Sequence, residues 1–360
     1  MWPRRAERRV RGQVSKERQD QMSGEGAGQH DNAERNKAAG RLARGSLVTV
    51  FGGSGFLGRH IVHALARRGY RVRVAVRRPN DALFLRPMGV VGQVEPVQAN
   101  IRDDASVRAA VAGADAVVNL VGILHESGRQ TFKAVQDEGA ARVARAARDA
   151  GVTSFLHVSA IGADANSKSD YARSKAAGEK AVREALPQAN IVRPSIVFGP
   201  EDDFFNLFAS LARLTPVLPL IGGDVLFQPV YVKDLAEGIT RIIESAEGGK
   251  VYEFGGPEKH TFRGLMEEML RATMRKRVLL PLPTPFATLV SYVTQFLPNP
   301  PLTPDQVRLL GQDNVVSEAA AAEGRTLEGL GITPTALALV LPTYLYRFRK
   351  AGQFERANAN

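Results

Sequence analysis

The chain has 360 residues, which is enough for about two domains. Hydrophobic residues make up 44% of it and charged residues 24%, a composition that supports a sizeable apolar core. The formal net charge is +11, but no basic stripe with interleaved aromatic side chains is present, which argues against a nucleic-acid partner. The absence of cysteine excludes disulfides, thiolate catalysis and zinc–thiolate sites.

Residues 1–46 are rich in Arg, Gln, Gly and Glu and poor in large apolar side chains, a composition typical of disordered segments. A mitochondrial presequence is the alternative interpretation. Glu7, Glu17, Asp20 and Glu25 argue against it, because transit peptides avoid acidic residues. The sequence contains no apolar stretch of the ~18 residues that a spanning helix requires, so we expect no transmembrane segment.

From Leu47 onward, short apolar segments alternate with amphipathic ones. The apolar segments predict strands at Leu47–Phe51, Tyr70–Val76, Val94–Val97, Ala116–Val121, Phe155–Ser159 and Asn190–Val192. The amphipathic segments predict a helix that ends at Gly69 and further helices at Asp104–Ala112, Gln136–Ala150 and Tyr171–Ala185. This alternation predicts an α/β fold with a Rossmann-type, doubly wound parallel sheet.

After Pro194 the alternation is lost, and proline clusters at 281–285 and 298–304 separate short helical segments. We therefore predict a smaller, mostly helical C-terminal domain. Strand-like segments at Gln228–Val232 and Val251–Phe254 are expected to return to the main sheet. The predicted division is a basic tail at 1–46, a nucleotide-binding domain at 47–195 with returning segments at about 224–256, a C-terminal domain at 196–223 and 257–345, and a tail at 346–360.

A glycine-rich turn follows the first strand, with the spacing Gly-x-x-Gly-x-x-Gly at Gly52, Gly55 and Gly58. The first glycine permits a tight turn, the second lets the backbone approach a pyrophosphate, and the third lets the helix pack on the strand. Phe56 and Leu57 open that helix, whose free N–H groups attract phosphate. The strand–turn–helix context therefore predicts a dinucleotide site.

The end of the second strand favours NADP(H) over NAD(H). NAD enzymes usually place a carboxylate there to accept the ribose hydroxyls. This chain has Arg77 and Arg78 instead, and Arg59 lies in the first turn of the helix. Guanidinium groups match a 2′-phosphate. The alternatives left open are NAD(H), or arginines that are merely solvated.

Tyr171 and Lys175 lie four residues apart, and thus on one face of the predicted helix, while Ser159 ends the fifth strand. We expect the ammonium group to lower the pKa of the tyrosine hydroxyl and to bind the nicotinamide ribose, while the serine holds a substrate oxygen. This trio predicts oxidoreductase or epimerase chemistry. The alternative is that it holds the nucleotide without turnover, so enzymatic activity stays open.

Together these residues resemble the short-chain dehydrogenase/reductase superfamily, in its extended or atypical branch. The resemblance implies that Ser159, Tyr171 and Lys175 are the catalytic trio. It also implies that Asn100 and Ile101 lie near the adenine. Asn119 to Gly122, including Val121, would line the floor under the ribose. Within the segment 193–200, Pro194 and Ser195 would contact the nicotinamide.

Four segments, at 50–59, 155–159, 198–206 and 228–234, resemble more narrowly the nucleotide-binding accessory subunits of respiratory complex I and their alphaproteobacterial relatives. This resemblance implies bound NADPH, association with NADH:ubiquinone oxidoreductase, and a peripheral cytoplasmic place at the inner face of the inner membrane (the matrix side in mitochondria). Related proteins are linked to ubiquinone biosynthesis, so a function in that biosynthesis is an alternative interpretation. Phe51 and Asn100 depart from the Thr and Asp usual in extended enzymes.

Pro285–Leu297 is apolar, with aromatic residues Phe286, Tyr292 and Phe296 and with Arg275, Lys276 and Arg277 upstream. It is too short to span a bilayer, and it predicts either contact with a membrane surface or a helix packed in the core. His125, His157 and His260 are scattered in the sequence, so we expect no metal site. The sequence identifies no small-molecule substrate.

Overall fold

The computed structural model describes residues 42–294 and 303–354. Its centre is a parallel sheet of seven strands: β1 Leu47–Phe51, β2 Arg71–Val76, β3 Val94–Gln98, β4 Ala116–Asn119, β5 Ser154–Val158, β6 Asn190–Pro194 and β11 Val251–Phe254. Their order across the sheet is β11-β6-β5-β4-β1-β2-β3. The order of the strands reverses at β1, because β2 and β3 follow it on one side and β4, β5 and β6 on the other. Nucleotides bind at such a switch point. The predicted Rossmann-type sheet is confirmed.

Helices cover both faces of the sheet and build the C-terminal region. They are α1 Phe56–Arg67, α2 Asp104–Val111, α3 Glu138–Asp149, α4 Asp170–Ala185, α5 Phe204–Leu214, α6 Val232–Glu244, α7 Phe262–Ala272, α8 Thr284–Thr294, α9 Pro304–Leu309, α10 Glu318–Ala322 and α11 Leu337–Leu345. A 3-10 helix at Pro79–Met88 follows β2, and one π-helical turn at Lys133–Asp137 precedes α3.

The alternation of side chains along the strands produces two apolar layers. In β1, Val48 and Val50 pack on one face with α1 and α6, while Phe51 packs on the other face with α2, α3 and α4. The near-continuous burial of these strands is typical of parallel sheets that are covered on both sides.

The C-terminal region has its own core, in which α5, α7 and α11 surround Phe198, Phe205 and Phe262. A parallel ribbon of β8 Val217–Leu220 and β13 Val278–Pro281 lies against it, and β9 Leu226–Phe227 pairs with β12 His260–Thr261. Phe348 is also buried in this core, so the chain stays packed beyond residue 345, where we expected the domain to end.

One of the two predicted returning segments joins the main sheet. Val251–Phe254 pairs with β6, as expected. The prediction for Gln228–Val232 was wrong, because its strand β10, Val230–Tyr231, pairs with β7, Val197–Phe198, in a separate two-stranded sheet. The chain beyond β6 supplies this partner, so the segment lies between the two cores. Val230 is buried in the core of the main sheet, and Tyr231 packs against the C-terminal core.

Parts of several predicted segments lie outside the described residues. They are residues 1–41 of the basic tail, residues 295–302 of the apolar segment and of the proline cluster that follows it, and residues 355–360 at the end of the chain. Within 42–294 and 303–354, no helix combines the length and the apolar character needed to cross a bilayer.

Candidate functional site

The glycine turn has the geometry that its spacing predicts. Gly52 adopts a φ of +79°, which favours glycine. A Cβ on Gly58 would lie 2.5 Å from the carbonyl oxygen of Gly52, so only glycine lets α1 approach the turn this closely. Among the described residues, no side chain caps α1 at Gly55, and its first turn holds no acidic residue. Its N–H groups are therefore available to an anion.

The turn opens into a cavity of about 410 Å³ at the carboxyl ends of β1, β2 and β4. Ten residues predicted to hold the nucleotide line it: Gly52, Gly55, Phe56, Leu57, Gly58, Arg77, Asn100, Ile101, Val121 and Gly122. The structure adds Ser54, Arg102 and Gln130, which sequence reasoning missed. The position of Arg102 directly after Asn100 and Ile101 was a usable signal, because it extends the same strand-end loop.

The three predicted arginines lie in different surroundings. Arg77 lines the cavity, where it donates a hydrogen bond of 2.7 Å to the Gln130 side-chain oxygen. Arg78 is 83% exposed outside the cavity. Arg59 stacks on Phe84 and faces Glu201, so it does not line the cavity. Of the predicted pair after β2, only Arg77 is placed to meet a ligand.

Asn100 is held by its own loop. Its backbone N–H donates to the Ser106 hydroxyl at 2.8 Å, and its side-chain oxygen accepts from the backbone N–H of Arg102 at 3.2 Å. The Asn100 amide thus fixes the turn that brings Arg102 to the cavity. Here the asparagine has a local structural role besides the predicted contact with adenine.

The predicted trio meets at one end of β5. Ser159 is buried, and its hydroxyl has no hydrogen-bond partner among the described residues. The ammonium group of Lys175 lies 3.4 Å from the carbonyl oxygen of Val158 and 5.8 Å from the ring centre of Tyr171. A buried hydroxyl without a partner is costly, so the serine is suited to a ligand oxygen.

The expected lowering of the tyrosine pKa was wrong. Burial raises the pKa of Tyr171 to about 12. Burial also lowers the pKa of Lys175 to about 8, against the opposing charge of Glu179. The ammonium group lies 5.8 Å from the centre of the tyrosine ring, and desolvation of the tyrosine hydroxyl is the cause of the shift.

Sequence reasoning missed two buried polar side chains near Lys175, those of Gln136 and His157. The carboxamide oxygen of Gln136 and Nε2 of His157 have no partner among the described residues. A Cβ on Gly122 would lie 3.1 Å from the Lys175 ammonium and 3.4 Å from the Gln136 oxygen. Asn119 donates to Nδ1 of His157 at 3.2 Å and accepts from the N–H of Val121. Burial lowers the pKa of His157 to about 3, so its ring is neutral.

Pro194 and Ser195 lie next to the trio but face another segment. The Pro194 carbonyl accepts from the N–H of Ile161, in the loop after Ser159. The Ser195 hydroxyl lies 2.7 Å from the side-chain oxygen of Asn314 and 2.8 Å from its carbonyl oxygen. The structure thus directs the Ser195 hydroxyl to the C-terminal region, while its contact with nicotinamide stays a prediction.

A family model described as the NAD dependent epimerase/dehydratase family matches residues 48–255, more than half of the chain. The chain belongs to this family. The match begins at β1 and ends after β11, so it covers the main sheet, the glycine turn and the trio.

Known proteins extend the comparison beyond this match. The chain is 34% identical, over 88% of each chain, to NADH dehydrogenase [ubiquinone] 1 alpha subcomplex subunit 9 of Dictyostelium discoideum. It is 40% identical to the ceramide reductase of Caulobacter vibrioides, over 54% of this chain and 59% of the relative. An NADPH-dependent quinone oxidoreductase of Escherichia coli with NADPH has a TM-score of 0.65 at 20% identity, over 82% of this chain and 99% of that one, and it shares the fold.

Proposed function

We propose that this chain is an NADP(H)-binding protein that associates peripherally with NADH:ubiquinone oxidoreductase. The observation that carries the proposal is the similarity to a complex I subunit over 88% of both chains. This similarity extends into the C-terminal region, whereas the similarity to the ceramide reductase covers little more than half of this chain. The bound nucleotide then has a structural or regulatory role.

The cavity supports a nicotinamide dinucleotide and favours the phosphorylated form. No Asp or Glu is among the described residues that line it, whereas Arg77 and Arg102 do. Two guanidinium groups without a competing carboxylate suit a 2′-phosphate. At a hundredfold excess over its Kd, a bound nucleotide adds about 2.7 kcal/mol to the stability of the fold, so a structural cofactor is physically reasonable.

In this proposal Gly52, Gly55 and Gly58 bind the pyrophosphate through backbone N–H groups, as helix N-termini do. Asn100 and Ile101 face the adenine, Val121 and Gly122 face the ribose, and Lys175 binds the nicotinamide ribose. The place of Lys175 beside Gly122 supports this assignment.

Native mass spectrometry of the protein, extracted from its own membranes with mild detergent, tests the proposal. We expect complex I subunits to co-migrate with it and an NADPH mass to stay bound. A protein free of these subunits that loses all nucleotide on desalting contradicts it.

A second candidate function is that of a reductase of carbonyl compounds. The unpartnered hydroxyl of Ser159 and the similarity to a ceramide reductase favour it. In such a reaction bound NADPH supplies a hydride to the carbonyl carbon. Ser159 orients the carbonyl oxygen, and Tyr171 donates its hydroxyl proton to that oxygen as the alcohol forms.

Tyr171→Phe separates the two functions. If the chain is a reductase, the variant loses several orders of magnitude in carbonyl-dependent oxidation of NADPH while its nucleotide affinity persists. If the nucleotide is structural, wild type and variant bind NADPH equally and neither oxidises it with a panel of carbonyl compounds. Activity that is unchanged in Tyr171→Phe contradicts this mechanism.

We further propose that the protein lies at the inner face of the inner membrane, where complex I is embedded. Apolar side chains of α8, Phe286, Leu289 and Tyr292, are about half exposed or more. Ala287 and Ser291 on the opposite side of the same helix are buried. This helix therefore packs through small residues and leaves an apolar face available to a membrane surface.

A further inference from the structure

A carboxylate of the C-terminal region reaches the first turn of α4, the helix that carries Tyr171 and Lys175. Asp305, in α9, accepts a hydrogen bond of 2.7 Å from the backbone N–H of Asp170 and one of 3.1 Å from that of Tyr171. It also accepts from the Ser169 hydroxyl at 2.8 Å. One side chain from a distant part of the sequence thus binds three consecutive residues at the start of this helix.

These contacts complete the capping of α4. The first N–H groups of a helix have no partner within the helix. Ser169, the N-cap, accepts from the N–H of Ala172. Asp305 takes the N–H groups that Ser169 does not reach, and its negative charge lies at the positive end of the helix dipole. Hydrogen bonds to a carboxylate are shorter and stronger than neutral ones, so they fix the place of the first turn.

Asp305 is itself held in position. Thr303 caps α9 in a capping box with Gln306, which fixes the turn on which Asp305 lies. The Arg308 guanidinium lies 3.6 Å from the Asp305 carboxylate and donates to the Lys168 carbonyl at 3.4 Å. The carboxylate thus lies in the first turn of a capped helix.

The segment 303–314, which contains Asp305, makes a second contact with the site. The Asn314 amide donates to the carbonyl of Ile161, two residues beyond Ser159, at 3.2 Å. Asn314 also binds the Ser195 hydroxyl. Residues 303–314 therefore touch the helix of Tyr171, the loop after Ser159 and the end of β6.

We infer that Asp305 is a positioning residue, which sets the place of Tyr171 and, one helical turn later, that of Lys175 against the bound nucleotide. The inference rests on the proposed function for its effect on nucleotide affinity. It adds a specific link from the C-terminal region to the trio. Because α9 packs on α8 through Val307 and Ala287, the link also joins the trio to the exposed apolar helix.

The experiment compares Asp305→Asn with Asp115→Asn in the full chain labelled with ¹⁵N-tyrosine. Asp115 is the matched control, because its carboxylate also accepts from a backbone N–H, that of Leu47 at 2.8 Å, but at the amino end of β1 and away from α4. The seven tyrosines give seven amide resonances at most, and Tyr171→Phe assigns the one of interest. NADPH affinity is measured by the fluorescence of the bound nucleotide.

We expect Asp305→Asn to shift the Tyr171 amide resonance and to weaken NADPH binding by about tenfold, the effect of one lost charge-assisted hydrogen bond. Asp115→Asn should leave both unchanged. An unmoved Tyr171 resonance, or an equal loss of affinity in both variants, overturns the inference. A wild-type chain that binds no NADPH contradicts the proposed function instead, and the comparison of resonances then still decides the role of Asp305.

Discussion

Lys175 carries an ammonium group that is almost completely shielded from water. Only 5% of the residue is exposed, and burial lowers its pKa from 10.5 to about 8. Below pH 8 the lysine is charged in both the folded and the unfolded chain, so folding carries the cost of burying the charge. Between pH 8 and 10.5 the unfolded chain binds more protons than the folded chain, and stability therefore rises with pH in this window.

Lys175→Met should therefore stabilise the protein while it weakens nucleotide binding. At pH 7 we expect the free energy of unfolding to rise by roughly 2 kcal/mol, because the desolvation cost is removed. The gain should shrink as the pH rises from 8 to 10.5. Urea denaturation at pH 7 and pH 10 measures both effects. A variant that is less stable than wild type at pH 7 would show that burial of the Lys175 ammonium group does not destabilise the folded chain.

Arg77 and Arg78 are neighbours with different surroundings, which makes them a matched pair. Arg77→Ala removes a guanidinium group from the cavity and should raise the Kd for NADPH by about tenfold, with little effect on NADH. Arg78→Ala should change neither, because that side chain is 83% exposed and lies outside the cavity. Titration of each variant with both nucleotides tests this. Equal losses in both variants would falsify the assignment of Arg77 to the 2′-phosphate.

Among the elements, α4 carries Tyr171 and Lys175 and packs closely on the π-helical turn before α3. Gly178 lies in the middle of this helix, and a Cβ there would stand 2.1 Å from the carbonyl oxygen of Gln136 in the π-helical turn. The glycine lets the two backbones touch, and this contact places Gln136 beside Lys175. A larger residue must push the helix away from the turn.

Gly178→Ala should lower the free energy of unfolding by about 2 kcal/mol, although alanine favours helices by about 1 kcal/mol, because overpacking outweighs propensity here. NADPH affinity should fall as well. Gly264→Ala, in the first turn of α7, is the control, since its nearest contact is a side-chain oxygen at 3.3 Å. Thermal and urea denaturation of both variants compare the effects. A Gly178→Ala variant as stable as the control contradicts this account of the packing.

The sheet and the glycine turn could be predicted because their signals are local. Each short apolar strand, and the spacing of Gly52, Gly55 and Gly58, lies within a stretch of about ten residues. The partner of Val230–Tyr231 could not be predicted, since it depends on where the chain goes after β6. Burial is likewise a property of the folded molecule, so the direction of the Tyr171 pKa shift was not visible in the sequence.

The contacts of the C-terminal region were the least predictable part of the candidate site. Asp305 lies 134 residues from Tyr171, and Asn314 lies 153 residues from Ile161. No periodicity or motif in the sequence links such pairs. The sequence did predict the apolar segment that begins at Pro285, but it left open whether this segment is a membrane contact or part of the core.

At the scale of the whole molecule, several exposed apolar side chains lie on elements of the C-terminal region that follow one another in the chain or pair with each other. In the ribbon of β8 and β13, Val217 is paired with Val278, and both are exposed, as is Leu280. Helix α8 follows directly and exposes Phe286 and Leu289. Three basic residues, Arg275, Lys276 and Arg277, precede the ribbon strand β13. Apolar side chains beside basic ones favour an anionic lipid surface.

Leu280→Glu combined with Leu289→Glu should therefore abolish binding to vesicles of phosphatidylcholine with phosphatidylglycerol, because two carboxylates would have to enter the lipid interface. Both side chains are about half exposed or more, so the fold should tolerate the change, which circular dichroism checks. Val91→Glu is the control, since Val91 is fully exposed in the loop before β3. Flotation of the full chain measures binding. Wild type should bind vesicles with phosphatidylglycerol more strongly than those without it. Equal flotation of the double variant and the control would show that this face does not contact lipid, and the complex I partner would then be the remaining candidate to cover it.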